Sequence, residues 1–252
     1  MTKMDAIELH PSVVDAFGQP GHFVNPRGSR VIRATPLGTP VYFVINNKRD
    51  RIHGHQLKGV FYEQDVLQIL AQHMPINGVF VDIGANIGNH ALFMLRHGGA
   101  RRIIPIEPNP DAIRLLAAMV RLNGLDDDVE RATLGYGIGA ENVGGYAIHN
   151  PKGNLGWVRL TQGDGEIELR TGDTFLANEA RIDFIKIDVE GMEIEALSGL
   201  EGTIARHRPM MFIEVDTINR DAFFDAMKRF DYAIEHEFAQ TKQNQNFLLR
   251  PN

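Results

Sequence analysis

Four carboxylates stand at or just past the ends of apolar runs, the places where side chains of α/β proteins meet their ligands. Asp82 follows Val79-Phe80-Val81, Glu107 closes RIIPIE (102–107), and Asp188 and Glu190 end IDFIKIDVE (182–190). Glu107 follows Gly84 by about 20 residues, the spacing at which an acidic side chain accepts hydrogen bonds from both hydroxyls of a ribose. Between the first two acids lies a glycine turn, Gly84-Ala85-Asn86-Ile87-Gly88, leading through Asn89 into a helix. An acidic strand end beside a strand–glycine–helix turn describes an adenosine site.

The turn narrows the choice of cofactor. A dinucleotide fingerprint needs a middle glycine so that backbone can approach a pyrophosphate, and Asn86 stands there instead. A phosphate-binding loop would end in Gly-Lys-Ser/Thr, which the chain lacks. Asp82 adds negative charge where a pyrophosphate would come close, and the same charge suits a cation. S-adenosylmethionine combines adenosine, a ribose diol, a sulfonium and an ammonium, with no phosphate. The sequence favours it over NAD, which remains a weaker alternative alongside a cofactor-binding module without turnover.

The chain that must carry this site has 252 residues, 43% hydrophobic and 23% charged, enough for one α/β domain and an accessory element. Its net charge of −6 argues against a general nucleic-acid binder. There are no cysteines, so disulfides, thiolate catalysis and cysteine zinc sites are excluded, which fits a cytoplasmic protein. The N-terminus shows no signal-peptide pattern, and no apolar run is long enough for membrane insertion. A homo-oligomer stays open.

Two alternating runs, SRVIRAT (29–35) and PVYFVIN (40–46), read as a hairpin in an N-terminal β extension over 1–60. From 61 to 252 strands and helices alternate, which predicts a mostly parallel sheet covered on both faces. Strands are expected at 79–84, 102–107, in DVERATLG (128–135), at 182–189 and at 210–215. Helices are expected in EQDVLQILAQHM, NHALFMLRHG, PDAIRLLAAMVRLNG, EIEALSGLEGTIARH and RDAFFDAMKRF. YAIEHEF and NQNFLLR are separated by a loop too short for a crossover and predict a closing antiparallel hairpin. The Gly- and Asn-rich stretch 135–172 reads as loops with short strands.

VFVDIGANIGNHAL, IEPNP (106–110), IDFIKIDVEGMEIEAL (182–197) and FIEV (212–215), in that order, resemble the FkbM-type methyltransferases. The resemblance runs from about residue 61 to the C-terminus and implies a Rossmann-like methyltransferase fold and O-methylation with S-adenosylmethionine. It implies that Asp82, Gly84, Asn86 and Gly88 line the methionine half of the cofactor, that Glu107 holds the ribose and that Asn109 lies beside the adenosine. It also implies that Asp188 and Glu190 face the methyl group and a sugar, glycan or natural-product hydroxyl. The chain departs from the family after the third strand, where Leu134-Gly135-Tyr136-Gly137 replaces an acidic residue near the adenine, and over Ala140–Leu160.

Methyl transfer needs an in-line nucleophile, and a hydroxyl acceptor gains from a base within hydrogen-bond reach. Asp188 and Glu190 are the candidates, although Lys186, on the same strand face as Asp188, offers it a salt bridge instead. Asp188, Glu214 and Asp216 would suit magnesium, but acids at strand ends are more often solvated, so no metal is assigned. His53-Gly54-His55 reads as a loop, Trp157 as a packing residue or a sugar platform, and Phe61-Tyr62-Glu63 as a segment closing over the cofactor.

Overall fold

A computed structural model describes residues 28–149 and 159–252. The elements in chain order are β1 (Arg30–Ala34), β2 (Val41–Ile45), α1 (Arg51–Gln56), α2 (Gln64–Gln72), β3 (Gly78–Ile83) and α3 (Asn89–Arg96). There follow β4 (Ala100–Ile106), α4 (Pro110–Leu122), β5 (Gly137–Ile138), β6 (Val143–His149), β7 (Arg159–Arg170) and α5 (Gly172–Phe175). The last third contains β8 (Phe184–Ile187), α6 (Glu193–Ser198), α7 (Glu201–His207), β9 (Met210–Asp216), α8 (Arg220–Phe230), β10 (Tyr232–Glu237) and β11 (Asn244–Pro251).

The central sheet has six strands in the order β10-β11-β9-β8-β3-β4. The four from β9 to β4 are parallel, and β11 runs antiparallel to both β9 and β10. Strands buried on both faces need no polar alternation, which is why these segments read as nearly continuous apolar runs. Phe80, Phe184, Phe212 and Leu248 project to one face, where α2, α3, α4 and β2 cover them. Val81, Ile83, Ile185, Ile187, Met211 and Ile213 project to the other, against α6, α7 and α8. Val41, Phe43 and Val44 of the N-terminal hairpin lie in the first of these clusters with Phe61 and Phe93.

The strand expected at 128–135 reduces to two bridges, Ile103 to Val129 and Glu107 to Leu134. Pro105 is the reason. The Ile103 N–H donates to Asp128 O and its carbonyl accepts from Glu130, but Pro105 has no N–H with which to continue the ladder. Its carbonyl takes the Thr133 hydroxyl at 2.6 Å, and the Glu130 carboxylate turns back on the N–H groups of Arg131 and Ala132. The helix expected at 193–207 is two, α6 and α7, broken at Gly199, where a Cβ would stand 2.1 Å from Gly139 O.

The stretch 135–172 is more regular than its composition implies. β5, β6 and the twelve-residue β7 form a three-stranded sheet, with β7 in the middle. Gly165 allows the crossing, since a Cβ there would meet Tyr146 O at 2.0 Å. His53-Gly54-His55 belongs to α1 rather than a loop: Asp50 caps the helix by accepting from the His53 N–H at 3.1 Å, and His53 is buried. Trp157 lies outside the described residues. Among the described residues no helix is long and apolar enough to cross a membrane.

Candidate active site

A cavity opens at the carboxyl ends of β3, β4 and β8. Its floor is the turn after β3, contributed by Gly84 and Asn86. Gly84 has φ +72°, and a Cβ there would fall 1.8 Å from the Asp188 carbonyl oxygen, so only glycine lets β3 and β8 end side by side. Asn86 is left-handed as well, at φ +49°. Apolar walls come from Ile106, Pro108, Ile138, Leu160 and Val189. Among the described residues three carboxylates line the cavity, those of Glu107, Asp188 and Glu190, and no Lys or Arg does.

Glu107 is anchored by backbone. Its Oε2 accepts from the Asn86 N–H at 2.7 Å and its Oε1 from the Asn109 N–H at 2.8 Å, which leaves each oxygen a free lone pair. Burial pushes this carboxyl up to about 7, against the pull of those two bonds. Asn109 caps α4, accepting from the Asp111 N–H at 3.0 Å, so its side chain serves the helix.

Asp82 and Gly88 lie behind the floor and do not line the cavity. Asp82 is fully buried and level with Lys186 on the neighbouring strand, with Lys186 Nζ 3.3 Å from its Oδ1. Lys186 Nζ also donates to Ile83 O at 3.2 Å and Gly84 O at 2.6 Å, and lies 3.6 Å from Asp188 Oδ2. Burial raises the Asp82 carboxyl, and Lys186 only partly offsets it. For Lys186 burial acts downward, but Asp82 and Asp188 outweigh it and hold the ammonium above its ordinary value. Gly88, at φ +82°, lets α4 come close: a Cβ would meet Leu116 Cγ at 3.2 Å. Asn89 is spent on Tyr62, donating to its carbonyl at 3.0 Å and accepting from its N–H at 3.2 Å.

The side of the cavity at the ends of β8 and β9 is acidic. Lys186 pairs with Phe212 across β8 and β9, so two residues further along Asp188 comes level with Glu214 on the same face. Glu190 follows in a left-handed turn, φ +50°, ahead of Gly191 at φ +102°. Ligand oxygens of Asp188, Glu190 and Glu214 all lie within 4.8 Å of one another. Burial, reinforced by Asp188, pushes Glu190 up to about 7 and raises Glu214 as well. Glu63, left-handed at φ +55°, belongs to the same group: burial and the Asp188 charge raise it.

The sequence offers Lys186 as a salt-bridge partner of Asp188, which it is, but not as the hub that also holds Asp82, and it does not single out Glu193 as a brace. The buried Glu193 Oε1 accepts from Asp216 N–H at 2.7 Å and Asn219 Nδ2 at 3.0 Å, fixing the turn after Asp188 to the end of β9. The signal for Lys186 was a lone cation in an apolar strand. Glu193 stands in an acidic first helical turn and carries no such signal.

Residues 82–243 match the methyltransferase FkbM domain family. The hexuronic acid methyltransferase AglP of Haloferax volcanii is 27% identical over 150 residues, which are 56% of this chain and 58% of the relative. The chain thus spans little more than half the length of that curated relative. The crystal structure of a methyltransferase FkbM from Methylobacillus flagellatus is 20% identical, with a TM-score of 0.51 over 74% of this chain and 51% of that one. A putative transferase, PH0793, from Pyrococcus horikoshii is 13% identical, with a TM-score of 0.50 over 89% of this chain and 72% of that one. Both share the Rossmann-like α/β fold. With the family match covering well over half of its residues, the chain belongs to the FkbM-type methyltransferases.

Proposed function

We propose that this chain moves a methyl group from S-adenosylmethionine to a hydroxyl of a sugar-type acceptor. The observation that carries the reading is the cavity wall, with three carboxylates and no basic side chain among the described residues. A pyrophosphate or triphosphate would meet no counter-charge on that wall, whereas the sulfonium and the ammonium of S-adenosylmethionine each find carboxylates to face. The apolar walls suit a purine, and the free lone pairs of Glu107 suit two ribose hydroxyls. Gly84 and Asn86 supply a floor without bulk.

When bound, the cofactor supplies an activated methyl group on sulfur. The chain's own residues hold the partners in line and keep bulk water from the bond being made, which accounts for much of the acceleration in such displacements. Asp188 and Glu190 border the space an acceptor would enter, and we assign them the task of holding its hydroxyl. Asp82, Gly88, Asn89 and Asn109 support the cofactor site from behind, through Lys186, α4, Tyr62 and the Glu107 loop. The sugar class draws on the hexuronic acid methyltransferase that the chain resembles. The reading is tested by calorimetric titration with S-adenosylmethionine, its demethylated product and NAD. Binding of the first two is expected, and binding of NAD alone would refute it.

A further inference from the structure

We propose that Asp188, Glu190 and Glu214 hold a hard divalent cation on the acceptor side of the cavity. The methyl-transfer reading is needed only for the task this gives the cation, seating neighbouring oxygens of the acceptor; the binding itself is independent of it.

The geometry comes first. Three oxygens no more than 4.8 Å apart all reach a common centre within about 2.8 Å, so small side-chain adjustments bring them to the roughly 2.3–2.6 Å of calcium–oxygen bonds. The set is oxygen only, in a chain with no cysteine, which selects a hard cation over a thiophilic one. Backbone fixes the three: strand register levels Asp188 with Glu214, and the left-handed Glu190 turns its side chain back toward them.

The second observation is His90. Its side chain is 10% exposed, and Nε2 has no hydrogen-bond partner. That nitrogen faces Glu63 Oε2 at 3.9 Å, too far for a direct bond and right for one bridging water. Glu63 is pressed by the charge of Asp188 and itself presses on Glu214, so the imidazole borders the carboxylate group on its Glu63 side. A buried ring nitrogen without a protein partner calls for a ligand, and water on a bound cation would supply one. Of the nearby protein cations, Lys186 is engaged with Asp82 and two carbonyls, Arg159 with Asp216 at 3.1 Å, and Arg51 lies over the Tyr62 ring at 5.6 Å, its charge reaching Glu63.

The test is a titration of the full chain with manganese(II), free ion being read by electron paramagnetic resonance, and calcium as competitor. Binding of the demethylated cofactor is measured by calorimetry on the same samples. One saturable site is expected, weakened about ten-fold or more by Glu190→Gln and by Glu214→Gln, and less by His90→Phe. Circular dichroism identifies any variant that fails to fold, and Asp188→Asn then takes its place. Absence of a saturable site up to about 5 mM, near the weak end of protein calcium sites, overturns the proposal. So does a site that survives both glutamine variants. A manganese site in a protein that binds no demethylated cofactor would sustain this proposal and sink the methyl-transfer reading instead.

Discussion

Replacing Lys186 by Met tests whether the cavity floor is held by a buried charge. Met keeps an unbranched stem of similar length, so the change removes the ammonium with little change in packing. Four contacts are lost: the ion pair to Asp82 at 3.3 Å, the pair to Asp188 at 3.6 Å, and the donors to Gly84 O at 2.6 Å and Ile83 O at 3.2 Å. Ile83 O still accepts from the Asp188 N–H at 3.1 Å, so that carbonyl is not orphaned. Removing one partner of a fully buried pair costs about 3–5 kcal/mol, because the other charge stays behind. With a urea slope of about 2.5 kcal/mol/M the unfolding midpoint should fall by about 1.5 M. The loss should also grow with pH. An orphaned Asp82 has its folded pKa raised above the unfolded value of 3.8, so the stability it confers is complete below that value and lost as pH climbs. The gap from wild type is therefore smaller at pH 5 than at pH 8. Adding Asp82→Leu should recover most of the stability, since a hydrophobic pair replaces the ionic one at little net cost. A loss below about 1 kcal/mol in Lys186→Met, or a double variant as unstable as the sum of the singles, would refute the reasoning.

Gly84→Ala forces a Cβ to within 1.8 Å of Asp188 O at a left-handed position, and about 2–4 kcal/mol of stability should go, together with nucleoside binding. A variant with wild-type melting temperature and affinity would show that the strand ends are looser than described. If ionised Glu107 is the form that holds the ribose, affinity for the demethylated cofactor should rise about ten-fold from pH 6 to pH 8, since its carboxyl titrates at about 7. Glu107→Gln should flatten that profile in calorimetry at several pH values, and an unaltered slope would assign the dependence elsewhere. Asn89→Ala removes both bonds to the Tyr62 backbone and should cost about 2 kcal/mol. Faster hydrogen exchange is expected at Tyr62 and Glu63 in particular, and unchanged protection there would discount the clamp.

Legibility in the sequence followed burial. β3, β4, β8 and β9 are covered on both faces, so their apolar runs mark them directly, and the closing hairpin followed from a connection too short for a helix. The third strand failed for a reason that lies on its neighbour: Pro105 is inside β4, yet it silences the ladder of the segment beside it. Only knowledge of which strand lies next could have shown that. β7 failed because most of its residues are exposed and its Gly163 and Gly165 look like turn residues, although Gly165 serves a close strand crossing. In the site, Glu107 and the glycine turn were readable because each follows a run at a fixed spacing. The Asp82–Lys186 pair was not, because it depends on the register between two strands about 100 residues apart in sequence.

Backbone strain around the cavity separates what holds the fold from what shapes the site. Among the described residues seven non-glycine positions have left-handed φ, Glu63, Asn86 and Glu190 included. Leu37, Asn77, Arg208 and Asp231 lie away from the cavity lining and are explained by turns and helix ends. Glu63, at the N-terminus of α2, and Glu190 also stand in turns, but glutamate gains little from the left-handed region and each costs about 1 kcal/mol there. Both stand in the group of mutually repelling carboxylates, so conformation and electrostatics oppose the same two placements. The rest of the fold overrules them: Asn89 clamps the chain beside Glu63, and Asn219, donating to Gly191 O at 3.0 Å, clamps the turn beside Glu190. Strain of this kind persists where the surrounding structure over-determines it, and it accumulates where a ligand is to be met by a preset geometry. A cation or an acceptor that bonded to these carboxylates would relieve the repulsion without moving the backbone, and part of its binding energy would come from that relief.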